Sequence, residues 1–143
     1  MKRNRTNVKN PIVVTAAVKR MANAWAYPCA WALIILFFSV LPCANLPSFP
    51  VGNLDKIAHF VEFAVLSALI IRTFNRLGKI FSGRSVVFTL ILGAGYGILV
   101  ELIQRFVPGR NADLYDAVFN TAGVVFGIAI GIAVGGIKSS WRK

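Results

Sequence analysis

Five acidic residues, one histidine and two cysteines are all that this chain of 143 residues holds of those types. Cys29 and Cys43 form no CxxC pair. On a continuous helix rising about 1.5 Å per residue they would stand roughly 21 Å apart, far beyond disulfide reach. A disulfide scaffold and a cysteine-based metal site are thereby excluded, and Cys29 reads as a small buried apolar side chain. Charged residues amount to 15% and hydrophobic ones to 57%, against about 25% and 45–50% in average globular usage. That balance excludes a soluble enzyme or a disordered tail. The chain also lacks any internal repeat or low-complexity tract.

Uninterrupted apolar sequence is what the chain has instead. Ala24–Leu41 runs 18 residues without a charge, Ser85–Val100 runs 16 and Ala117–Ile137 runs 21. A bilayer-crossing helix needs about 20 mostly apolar residues, and continuing the middle run to Phe106 supplies them. A fourth segment, Asp55 to Thr73, carries His59 and Glu62 yet is too apolar to be a loop. The expected architecture is an all-α membrane protein, a single bundle of four transmembrane helices over about 24–41, 55–73, 85–106 and 117–137. A basic segment, 1–23, precedes it and a basic tail, 138–143, follows.

The net charge of +11 would suggest nucleic acid in a soluble protein, but its distribution is that of a topology signal. Thirteen of the 16 Lys and Arg residues fall before the first span, between the second and third, or after the fourth; only Lys56, Arg105 and Arg110 fall on the other side. Positive residues stay cytoplasmic, so both termini are expected on the cytoplasmic side of a cell membrane, with attraction to anionic lipid headgroups secondary. No nucleic-acid partner is expected. The long apolar run beginning near Ala24 reads as an uncleaved anchor rather than a signal peptide, whose apolar region is typically 7–15 residues.

Two outer connections are punctuated by proline and glycine: Pro42, Pro47 and Pro50 in the first, Pro108-Gly109 in the second. The fourth span carries Gly123, Gly127, Gly131 and Gly135 at four-residue spacing, and the third carries Gly93 and Gly97. Small residues so spaced let helices approach closely in lipid. They read as packing inside the bundle, or alternatively as a seam for a homodimer or another membrane protein.

Ionisable residues within a span are costly and usually face a bundle interior or aqueous cavity. Here they align. Asp55, His59 and Glu62 share one helical face; Gly97, Glu101 and Gln104 share another; Asp113, Asp116, Asn120 and Gly123 share a third. Three helices thus present polar stripes to the outer half of the bundle. A register-fixing network is one reading. A cavity suited to acid–base chemistry or to an anionic headgroup is the other, with catalytic candidates His59, Glu101 and Asp116 and binding candidates Asp55, Lys56, Gln104, Arg110 and Asn120. His59 with Glu62, Glu101 or Asp116 offers nitrogen and oxygen of the kind zinc or manganese accepts. A single histidine without fixed-spacing partners assigns no metal site, and no cofactor is named.

These residues carry a resemblance. Leu41-Pro42, DKIAHF at Asp55–Phe60 and YGILVELIQRFVPGRNADLYDAVFNTAG at Tyr96–Gly123 together resemble the VanZ-like family, whose pattern runs roughly DKxxHFxxY, GxxxExxQxxxPxR and DxxxNxxGxxxG. The matching positions are Asp55, Lys56, His59, Phe60, Gly97, Glu101, Gln104, Pro108, Arg110, Asp116, Asn120, Gly123 and Gly127, within about Trp31 to Gly131. Phe63 stands where tyrosine is frequent, and Glu62 at a position the pattern leaves free. The resemblance implies a small multi-spanning bacterial protein of the inner membrane with a cell-envelope role, the family being named for a member conferring teicoplanin resistance. The function expected is binding or modification of an anionic, lipid-linked target in the outer leaflet. The alternative is a non-enzymatic assembly or partner-binding factor using the glycine seam.

Overall fold

The structure, a computed structural model, describes residues 11–42, 54–78, 83–110 and 114–140. Expectations that fall on Cys43, Pro47, Pro50, Lys79, Asp113 and the two chain ends lie outside the described residues. Four helices follow one another: α1 (Pro11–Ser39), α2 (Leu54–Arg76), α3 (Gly83–Gln104) and α4 (Leu114–Ser140). Each is long and apolar enough to cross a membrane, so the fold is the expected all-α bundle.

α1 begins well ahead of the expected start at Ala24. Proline suits the first helical position, where its missing N–H costs nothing, and Ala16, Ala17, Lys19, Arg20, Met21 and Ala22 all favour helix. Lys19 and Arg20 end the apolar run without ending the hydrogen bonding. At 29 residues the helix spans about 43 Å, longer than a hydrocarbon core of about 30 Å. Cys29 is exposed on this helix, which corrects its expected burial: it belongs to the apolar outer surface with Leu33, Phe37 and Phe38.

α2 is the central helix. It packs against α1, α3 and α4, whereas among the described residues α1 does not reach α4. It is the most deeply buried of the four spans, and it is also the one that carries His59 and Glu62. A helix wrapped by neighbours can hold polar side chains that a lipid-facing helix could not.

The α2–α4 contact is the tightest. α4 runs parallel to α2 with its glycines laid along it: Gly123 against the carbonyl of Phe60, Gly127 against the carbonyl of Ala64 and Oγ of Ser67, Gly131 against Ile71. A β-carbon at Gly123 or Gly127 would collide with α2 backbone. These three glycines therefore pack within the chain, and a partner using the same seam would have to displace α2. Gly135, one step further, is half-buried. α3 lies antiparallel to this pair, Gly93 and Gly97 facing Val124 and Asn120 of α4. Ile35, Phe63, Leu66, Ile71, Val100 and Val124 fill the space between.

α1 packs Ile35 into the core, with Trp25, Trp31 and Ala32 against it, and hydrogen bonds to its carbonyls add to the attachment. Thr73 Oγ1 donates to Ala24 O at 2.9 Å and Tyr96 Oη to Ala32 O at 2.6 Å. In the other direction Trp31 Nε1 donates to Glu62 O at 3.0 Å.

Candidate functional site

The antiparallel run of the helices collects the polar stripes at one end of the bundle. The N-terminal turns of α2 and α4 meet the C-terminal turn of α3 there, while Arg20, Arg72, Arg76 and Arg84 gather at the other end, where Arg20 Nη2 donates to Arg76 O at 2.8 Å. Cavities of about 240 and 390 Å³ lie at that basic end, lined among others by Ala24, Tyr27, Thr73 and Arg76 in the first and by Arg20 and Asn23 in the second.

At the polar end, His59, Glu101, Gln104, Asp116 and Asn120 are all buried, with exposures of 1–7%. They fall into two groups that share α4. In the first, one donor atom from each of Asp55, His59 and Asp116 lies within 4.8 Å of the other two. Asp55 is exposed while the other two are buried. Beside them Lys56 places Nζ 5.2 Å from the centre of the Tyr115 ring, a cation–π contact.

In the second group, Asn120 Nδ2 donates to Glu101 Oε1 at 3.2 Å. With the Gln104 amide oriented to satisfy both neighbours, its nitrogen donates to Glu101 Oε2 at 3.3 Å and its oxygen accepts from Arg110 Nη1 at 2.9 Å. A chain Asn120–Glu101–Gln104–Arg110 results, joining α4, α3 and the turn beyond α3. That turn explains how Arg110 arrives. After Gln104 the backbone closes Val107–Arg110 with an Arg110 N to Val107 O bond of 3.1 Å, Gly109 taking a φ of 80° that suits the third position of a type II turn behind Pro108. Arg110 then folds back over the bundle, its Nη2 reaching Phe38 O near the end of α1 at 3.4 Å.

Asp116 and Asn120 are one turn apart on α4, so the two groups share a face. Of the expected set, His59 and Asp116 stand together with Asp55, and Glu101 engages Asn120 and Gln104 at the same end of the bundle. Gly97 serves the site by bareness, since a β-carbon there would stand 3.1 Å from Asn120 Cβ and 3.4 Å from Phe63 Cε1. One contributor was not anticipated: the carbonyl of Phe38, which has no sequence signature.

Among the described residues, three polar atoms at this end are buried without a hydrogen-bond partner: His59 Nδ1, Arg110 Nε and Asn120 Oδ1. Buried polar groups are nearly always satisfied, so three orphans in one place mark a site rather than a finished network. Two donors or donor-acceptors on positively chargeable groups, opposite a carboxylate chain, can engage an anionic oxygen or a cation.

No curated protein and no solved structure matches the chain. The sequence model of the VanZ/LLP1 family matches residues 15–135, a stretch that contains all four spans in large part and every residue of the polar end. With the ordered motifs at Asp55–Phe60 and Tyr96–Gly123 now brought to one end of one bundle, the chain belongs to the VanZ/LLP1 family.

Proposed function

We propose that this protein acts in the cell envelope by binding an anionic headgroup of an outer-leaflet, lipid-linked molecule at the polar end of its bundle. Arg110 is the primary contact. Its two terminal nitrogens are committed to Gln104 and Phe38 while Nε is buried and unmatched. That unmatched donor on a fixed cation is the observation that carries the reading, because an unsatisfied charged donor is expensive where water is scarce and a phosphate or carboxylate oxygen would relieve it. Lys56 supplies the second positive charge. Glu101 and Gln104 hold the guanidinium in place, and Asn120 anchors Glu101. His59 and Asp116 stand where a proton could be exchanged with a bound group, so the same site accommodates modification as well as binding. The outer-leaflet assignment rests on the cytoplasmic placement of the basic end, and the family resemblance ties the role to glycopeptide resistance.

The test is comparative lipid and muropeptide profiling, with teicoplanin challenge, of cells carrying wild type, Arg110→Ala, Glu101→Gln or no protein. Both variants should match the null strain while their membrane levels equal wild type. Wild-type behaviour of Arg110→Ala at normal levels would overturn the proposal.

A further inference from the structure

We propose that Asp55, His59 and Asp116 form a binding site for one divalent transition-metal cation, zinc or manganese. The sequence puts Asp55 and His59 on one helical face but does not choose among Glu62, Glu101 and Asp116 as further oxygen donors. The parallel packing of α4 on α2 brings Asp116 to them.

Their donor atoms lie within 4.8 Å of one another. Ligands about 2.1 Å from a common ion stand roughly 3.4 Å apart in tetrahedral geometry, so small side-chain adjustments close the site. One imidazole nitrogen and two carboxylates form a donor set that zinc and manganese both accept, and two negative charges balance a divalent ion. Three protein ligands leave a coordination position open, as catalytic and substrate-binding zinc sites do, and exposed Asp55 gives access from the membrane surface.

Carboxylates in the first turns of α2 and α4 would also complement the helix dipoles. That accounts for the two aspartates and leaves His59 unexplained. It is 3% exposed, and Nδ1 has no hydrogen-bond partner among the described residues. Coordination gives a buried imidazole a role, one ring nitrogen on the metal and the other available for an outer contact.

The inference adds a cation to the polar end without resting on the anion-binding proposal, because metal binding is measured with no lipid target present. The full chain, purified in detergent by a tag free of histidine and stripped with chelator, is titrated with Zn²⁺ and separately with Mn²⁺; bound metal is counted by elemental analysis and affinity read by calorimetry. One equivalent per chain is expected for at least one of the two ions. Co²⁺ should give visible ligand-field bands in wild type, which a carboxylate-only surface site would not intensify. His59→Gln should abolish stoichiometric binding, and Asp55→Asn, at an exposed position, should weaken it about tenfold or more. Glu101→Gln should keep the metal. Failure of the wild-type chain to bind either ion stoichiometrically, or unchanged affinity in Asp55→Asn, would overturn the site. Should His59→Gln not fold, the wild-type stoichiometry and Asp55→Asn decide.

Discussion

Thr73 of α2 supplies the hydrogen bond that Pro28 takes away from α1. Proline has no N–H to give the carbonyl four residues earlier, which here is Ala24 O; Thr73 Oγ1 lies 2.9 Å from that carbonyl and 3.0 Å from Leu69 O of its own helix, its one proton shared between them. In a membrane a freed carbonyl must find a neighbour's donor. A helix-weakening residue is thereby turned into a docking point between two helices.

Thr73→Val should therefore cost about 1–2 kcal/mol, read as unfolding in detergent by chemical denaturation. In a Pro28→Ala background, where the helix again has an N–H for Ala24 O, the same change should cost close to nothing. Equal costs in both backgrounds would mean that the threonine bond does not serve the proline gap.

Gly127→Ala should force α2 and α4 apart, because the added methyl meets the Ala64 carbonyl and the Ser67 hydroxyl. Overpacking of this kind costs about 1–3 kcal/mol. Gly95→Ala is the control: nothing lies within 4 Å of its would-be β-carbon, and replacing glycine in a helix should be neutral or mildly stabilising. Thermal melts of the two purified variants compare them directly.

Asn120 and Glu101 should behave as a coupled pair. Interhelical polar contacts in membranes average about 0.6 kcal/mol and reach about 1.7; the buried carboxylate acceptor puts this pair in the upper part of that range. A double-mutant cycle with Asn120→Ala and Glu101→Gln measures it. Coupling indistinguishable from zero would break the chain that positions Arg110.

Trp31→Phe and Tyr96→Phe each remove one bond that ties α1 to the bundle; the tyrosine change keeps its ring, while the tryptophan change also gives up some packing against the core. Each should cost about 1 kcal/mol and raise hydrogen exchange along α1 more than along α2 or α4. Uniform change across all four helices would contradict a separately pinned α1.

Reporter fusions at the two chain ends should both read as cytoplasmic, as thirteen basic residues on one side require. In a Cys43→Ser background, Cys29, exposed on a helix with apolar neighbours, should react in intact membranes with a lipid-soluble maleimide and resist a charged one. Reaction with the charged reagent would place that part of α1 in water.

The sequence by itself determined the number of spans, the segregation of charge between the two ends and the residues of each polar stripe. Those features are periodic or additive along the chain: hydropathy sums over about twenty residues, and a 3.6-residue repeat sets which side chains share a face. Helix limits were less legible where charge and hydrogen bonding part company, as at Lys19 and Arg20, and burial was misjudged at Cys29 because an apolar residue in a membrane is equally at home against lipid or protein. Only the tertiary structure decided which helices touch. Gly123, Gly127 and Gly131 are equally suited to α2, α3 or a second copy; the parallel fit onto Phe60, Ala64 and Ile71 was chosen by backbone shape, a property that no linear pattern expresses. The same choice drew Asp116 to His59 and Asp55 and Asn120 to Glu101, because side chains on separate helices meet only where those helices are brought into register.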